Sequence, residues 1–270
     1  MTTTTFPATV PVTTERSSLV KAASDTMAIT WRNLLMLRRV PQLLVFSTIQ
    51  PVLFVLMFRY VFGGAIRVPG VRYVDYLMPG IFAQTVAFGS INTGVGLAQD
   101  LGTGLIERFR SLPMARSAVL AGRTAADVVR NVLVVALMVS VGFIVGFRVH
   151  TNAAGLLAAV GLMLLFGFAL SWVFALIGLA TANPESAQAA AFPLLAPLVF
   201  ASSAFVPLKS MPGWLQVLAA HQPVTITVDA VRALVLGGPT LRPVVQMVAW
   251  AVGLIAVFAP LAVSRYRRAA

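Results

Sequence analysis

Apolar residues along this chain fall into blocks long enough to cross a bilayer, separated by short polar or Gly/Pro-marked breaks. A membrane helix takes about 20 apolar residues, and six segments qualify: 43–62, 76–98, 124–147, 154–181, 187–207 and 243–264. The second, fourth and sixth contain no charged residue. Arg59 lies near one end of the first and can snorkel, while Asp127 and Arg130 occupy the opening turns of the third and can pair at three-residue spacing. Residues 1–17 are Thr-rich with no apolar run and predict a disordered tail. From Ser18 to Arg39, Val20, Ala23, Met27, Trp31 and Leu34 recur at three- and four-residue spacing, which predicts an amphipathic helix on the membrane surface. An ordinary polar entry to the first span fits the same residues.

Two shorter patterns lie between the long blocks. Leu101, Leu105, Phe109 and Leu112 recur every three or four residues, with Glu107, Arg108 and Arg110 on the other faces and Pro113 as the stop. The run from Ser210 to Val228 is uncharged but is interrupted by Pro212, Gly213, His221, Gln222 and Pro223, so it does not predict a span. It predicts two short helices dipping in from the outer face. One begins near Met211-Pro212-Gly213-Trp214; the other runs through Thr225 to Leu236 and ends at Gly237-Gly238-Pro239. The expected architecture is an all-α polytopic membrane protein with an interfacial helix at 18–39, a six-helix domain over 40–265, re-entrant helices before the last span, and a tail at 266–270.

Composition agrees. Hydrophobic residues make up 59% and charged ones 10%, and mean hydropathy is +0.89, whereas soluble proteins reach roughly 45–50% apolar even with Gly counted. The net charge of +12 comes from cations scattered between spans rather than gathered on one face, which argues for membrane orientation and against a nucleic-acid partner. If the N-terminus is cytoplasmic, that side receives Arg16, Lys21, Arg32, Arg38, Arg39, Arg108, Arg110, Arg116, Arg123, Arg265, Arg267 and Arg268. The other side receives half as many: Arg67, Arg72, Arg148, Lys209, Arg232 and Arg242. Both termini are therefore expected in the cytoplasm. With no cysteine, thiol chemistry and disulfides are excluded.

The charged segment at 104–113 then faces the cytoplasm. A short amphipathic helix there suits docking into a groove of a motor protein; a plain basic loop obeying the same orientation rule also fits. The chain carries no phosphate-binding loop. Lys21 precedes Ala22, and Lys209, though followed by Ser210, follows Leu208. Polar and aromatic residues in or near the spans are candidates for a substrate path: Gln50, Gln84, Asn92, Ser202 and Phe205, although helix–helix hydrogen bonds explain such polar groups equally well. Pro193 and Pro197 offer a hinge in the fifth span, and Trp214 and His221 a gate outside it, against the alternatives of tolerated prolines and a plain loop.

Two other function classes were weighed. An ion-coupled carrier would need a carboxylate near the bilayer middle, yet Asp75, Asp100, Asp127, Glu185 and Asp229 fall at predicted ends or loops. An intramembrane enzyme would need a nucleophile–base pair or a metal cluster. His150 and His221 have no partner at metal-ligand spacing, and His221 with Asp229 is the one conceivable pair.

The runs GLIERFRSLPMARSAVLAGR, YVDYLMPGI and NPESAQAAAFPLLAPLVFASSAFVPLKSMPGWLQVLAAHQPVTITVDAVRAL resemble the permeases of type-2 ABC exporters, most closely the daunorubicin-resistance group, over roughly residues 30 to 265. The resemblance implies a non-enzymatic six-helix half-transporter in a bacterial plasma membrane. It would pair with a second permease, the same or related, and with two cytoplasmic ATPase subunits that bind ATP and Mg, exporting an amphipathic drug or lipid by alternating access. It also implies that the coupling helix maps onto Gly104, Leu105, Glu107, Arg108, Phe109, Arg110 and Pro113, and that the outer region before the last span caps the export route.

Overall fold

The structure, a computed structural model, describes residues 24–31, 35, 41–64, 66, 68, 70–103 and 116–269. Among them there is no strand. Helix α1 covers residues 24–31. Helix α2 spans Pro41–Leu56 and runs on through a π-helical turn, Met57–Val61, closed by the Phe62 N–H on the Met57 carbonyl at 3.3 Å. The long helices follow: α3 at Tyr73–Gly102, α4 at Arg116–Val145, α5 at Ala153–Ala180 and α6 at Pro184–Phe200. A 3-10 turn at Leu208–Ser210 leads to α7 at Gly213–His221, α8 at Pro223–Leu236 and α9 at Leu241–Ala269.

Local chemistry sets these boundaries. The Asn152 side chain accepts the Gly155 N–H at 2.8 Å and opens α5; Asn183 accepts the Ser186 N–H at 2.8 Å and opens α6, with Pro184 and Glu185 in the first turn. Gly237 and Gly238, at φ +94° and +122°, end α8 in a conformation that side chains resist.

Among the described residues, four helices are long and apolar enough to cross a membrane: Tyr73–Gly102, Gly122–Val145, Ala153–Ala180 and Leu241–Arg268. They match the second, third, fourth and sixth expected spans. The residues of the first expected span form α2 and its π turn, whose apolar part, Thr48–Val61, is shorter than these four. The fifth stops at Phe200, short of residue 207, and the chain then turns through residues 201–206. The helix at 18–39 is described only in part: Met27 and Trp31, expected to face the membrane, are exposed, while Ile29 and Thr30 dock on α4, where Thr30 Oγ1 donates to the Gly122 carbonyl at 3.1 Å.

Burial ranks the helices. In α3, 72% of the most apolar window is buried, against 17% in α9, so α3 is the centre and α9 lies outside. Around α3 the core gathers Leu77, Met78, Ile81 and Phe82 with Met138, Phe147, Met163, Phe166 and Phe174. The backbones of α3 and α5 touch where Gly178 meets Gly94, leaving no room for a side chain at either position. The exterior is also apolar, with Leu133 and Leu137 on α4 and Val252, Val257 and Leu261 on α9 all exposed. In a bilayer such a surface costs nothing, because lipid tails are as apolar as the side chains.

Candidate functional site

The residues implied for ATPase coupling, Gly104, Leu105, Glu107, Arg108, Phe109, Arg110 and Pro113, lie outside the described residues. On either side of them the chain is firmly held. Arg123 pairs with Asp100, joining the last turns of α3 to the first part of α4. Four residues further along α4, Asp127 pairs with Arg130 at 3.2 Å and accepts the Thr93 hydroxyl, and Arg130 donates to the Gly89 carbonyl at 2.6 Å. The pairing of Asp127 with Arg130 is as expected, and so is its place in the opening turns of the apolar stretch Gly122–Val145, although α4 itself begins earlier, at Arg116. The Asp127 partner Thr93 sits roughly 8 Å past the midpoint of α3 at 1.5 Å per residue. The pair is buried to about one-eighth exposure. As neighbouring opposite charges at this depth, each offsets the cost of burying the other.

The candidate path residues do not converge. Gln50 and Asn92 are exposed, and Asn92 donates to the Gly89 carbonyl of its own helix at 3.1 Å. Gln84 is buried with its Oε1 unpartnered. Ser202 is fully buried and donates to the Val199 carbonyl. Phe205 is buried in a ring stack, 4.6 Å from Phe58 and 5.7 Å from Phe200. None of the five lines the cavity of about 370 Å³ beside Arg72, Asp75 and His150, nor the apolar groove of about 320 Å³ between α2 and α4. Pro193 and Pro197 are exposed inside α6, which continues through both and ends three residues after the second. Trp214 and His221 are exposed on α7, and His221 Nδ1 lies 2.9 Å from the Val217 carbonyl one turn earlier. His221 therefore does not pair with Asp229.

What the structure does gather is a polar node at the Tyr73 end of α3. Where α6 ends, its last carbonyls lose their helical partners, and side chains replace them. Gln222 donates to the Leu198 and Ala201 carbonyls at 2.6 and 2.7 Å, and Ser202 serves Val199. The Tyr76 hydroxyl donates to the Ser203 carbonyl at 3.0 Å and the Tyr73 hydroxyl to the Phe205 carbonyl at 3.1 Å. Arg232 of α8 joins them. Its Nε and Nη2 donate to the Tyr76 carbonyl at 3.2 and 3.0 Å, Nη2 also to the Ser203 carbonyl at 2.9 Å, and Nη1 to Asp229 Oδ1 at 3.0 Å. The guanidinium lies over the Tyr76 ring, its Cζ 3.6 Å from the centroid. Burial raises the Asp229 carboxyl above its ordinary range, and the Arg232 charge and a Ser203 hydroxyl bond of 2.8 Å oppose that rise.

Tyr73, Tyr76, Gln222 and Arg232 were not singled out from the sequence. A signal was present in a lone Arg three residues after Asp229, set among Val228, Val231 and Val235, which the helix buries. A second cluster ties α3 to the connection between α4 and α5: Asp75, fully buried, accepts Arg72 Nε at 2.8 Å and the Arg148 N–H at 2.9 Å, with His150 at 3.9 Å. Among the described residues, no three His, Cys, Asp or Glu side chains come together as metal ligands would.

The chain is 35% identical over 253 residues to the daunorubicin resistance ABC transporter permease of Streptomyces coeruleorubidus, covering 94% of this chain and 89% of that protein. It is 31% identical over 194 residues to the doxorubicin resistance ABC transporter permease of Mycobacterium tuberculosis, covering 70% and 65% respectively. The sequence pattern of ABC-2 type transporters matches residues 24–236, from the helix that docks on α4 to the end of the helix that carries Arg232. An all-helical bundle with a lipid-like exterior and a match of that extent has one reading: the chain is a multi-pass membrane permease of the ABC-2 type transporter family, whose members pair with an ABC ATPase subunit.

Proposed function

We propose that this permease forms the membrane half of an ATP-driven exporter that carries an amphipathic drug or lipid outward by alternating access. The observation that carries the reading is the likeness, over nearly the whole chain, to a permease named for daunorubicin resistance. In this reading α2 with its π turn and α6 join the four long helices as spans, both termini lie in the cytoplasm, and α7 and α8 dip in from the outer face. Two ATPase subunits bind ATP and Mg, and a second permease, identical or related, completes the pathway. The membrane is the bacterial plasma membrane, and the chain itself makes and breaks no bonds.

Residues 104–113 take the motor's stroke. The Asp100–Arg123 pair, the Thr93–Asp127 bond and the Arg130–Gly89 bond support this, because they fasten α3 to α4 beyond that segment. A push on the segment would then move both helices together as a rigid body. The pairing also weighs against the carrier reading, since a carboxylate bound to Arg130 and Thr93 is poorly disposed to shuttle protons.

The test is to solubilise the tagged chain from its native membrane and identify what co-purifies. A nucleotide-binding subunit whose ATPase activity rises with cargo is expected. Transport by the isolated chain without ATP would overturn the exporter reading. Within the complex, the double substitution Glu107→Ala, Arg108→Ala should lower cargo-stimulated ATPase activity and leave membrane insertion intact. Unchanged stimulation would remove the coupling role.

A further inference from the structure

We propose that Arg232 is a positioning residue that fastens the turn at 201–206 to α3, so that this turn, α8 and the outer half of α3 travel as one body when the export route opens. The proposal rests on the exporter reading above.

The argument starts from the shortness of α6. A chain that leaves the helix at membrane depth exposes carbonyls that lipid cannot satisfy, so such a break persists only where protein donors cover it. Here the donors come from both sides of the turn: Tyr73 and Tyr76 from α3, Gln222 and Arg232 from α8. Arg232 alone among them reaches α3, the turn and its own helix at once, through the Tyr76 carbonyl, the Ser203 carbonyl and Asp229.

Steric contact adds to the hydrogen bonds. A Cβ at Gly80 would lie 2.6 Å from the Ala204 carbonyl carbon and 2.7 Å from its Cα, so the turn rests directly on the α3 backbone. Arg232 itself is held from two directions, by stacking on Tyr76 and by the Asp229 charge. Sliding the turn along α3 would break the tyrosine bonds and strand a buried guanidinium together. Such an interface favours moving whole over parting.

A lysine cannot replace this group. Its compact ammonium carries the charge but has neither the planar fork that spans two carbonyls and a carboxylate nor a face to stack on the ring. The helices on either side of the turn would then lose their common reference, and motor strokes would no longer be converted into cargo release.

The test uses the full permease–ATPase complex reconstituted in vesicles, comparing Arg232→Lys and Tyr76→Phe with the wild type for cargo moved per ATP hydrolysed. Both variants are expected to lower that ratio, Tyr76→Phe by roughly fivefold, the factor that one lost hydrogen bond is worth, and Arg232→Lys by more. A residue that only stabilises the fold would reduce the amount of complex recovered but leave the ratio unchanged in what survives. An unchanged ratio in both variants would overturn the proposal. If Arg232→Lys does not accumulate, Asp229→Asn, which keeps the guanidinium but removes the charge that holds it, takes its place, and an unchanged ratio there overturns the proposal as well. A wild-type complex without cargo-stimulated ATPase activity would instead overturn the exporter reading itself.

Discussion

The contact between α3 and α5 makes a sharp prediction, because one substitution at two sites on the same helix should have opposite effects. At Gly178 a new Cβ would lie 2.7 Å from both Cα and the carbonyl carbon of Gly94, where ordinary contact begins at 3.4 Å. The two helices must part by about 0.7 Å or more, and a gap of that size forfeits roughly a quarter to a half of the dispersion energy of each contact across it. Leu97, Ala175 and Leu179, all buried at this seam, share the loss. Overpacking of this kind costs about 2–3 kcal/mol, partly offset by about 1 kcal/mol from replacing Gly by Ala inside a helix. At Gly161, also on α5, nothing lies within 4 Å of the added Cβ, so only the gain remains. The two variants should therefore differ by about 2–3 kcal/mol, with Gly178→Ala the less stable, a separation in Tm of roughly 4–6 °C for a chain of this size. Tryptophan fluorescence during heating of detergent-purified protein, at one scan rate, reads the difference. If Gly178→Ala melts at or above Gly161→Ala, the backbone contact is not what holds α3 to α5.

Asp127→Ala would leave Arg130 as a buried, unpaired cation and should cost about 3–5 kcal/mol, seen as loss of the monodisperse peak in size-exclusion chromatography; Asp127→Ala with Arg130→Met should recover most of it. Asp75→Asn removes the charge that Arg72 binds but keeps an acceptor for the Arg148 N–H, so a loss of about 1–3 kcal/mol in thermal stability is expected. Pro193→Ala and Pro197→Ala should raise Tm, since Ala is about 3 kcal/mol better than Pro within a helix, and should slow transport if α6 is a hinge. Transport at the wild-type rate in both variants would remove the hinge assignment.

The helical plan was legible because its causes are local. Uncharged runs marked the second, fourth and sixth spans, and Gly237-Gly238-Pro239 marked the end of α8. The early stop of α6 was not legible. Residues 187–207 are apolar enough to continue, and the helix ends where Gln222 supplies a donor for its last carbonyls and Tyr76 and Tyr73 supply donors for the carbonyls of the turn. The polar candidates for the path stand out by polarity alone, which does not tell which face of a helix a residue occupies when both faces are apolar. Gln84 is therefore buried while Gln50 and Asn92 are exposed.

The amino-acid sequence by itself determined that the chain lives in a membrane, where its long helices run and which family it resembles, because each follows from composition, run length and neighbouring residues. Only the tertiary structure decided that α3 is the central helix, that Asp127 is buried between α3 and α4, and that Arg232 joins three segments separated by up to 156 positions. Those outcomes depend on which helix faces meet, and in a chain apolar on every side the pattern of hydrophobic positions carries little information about facing. Small residues and buried polar groups decide it instead, and they act only once the helices are side by side.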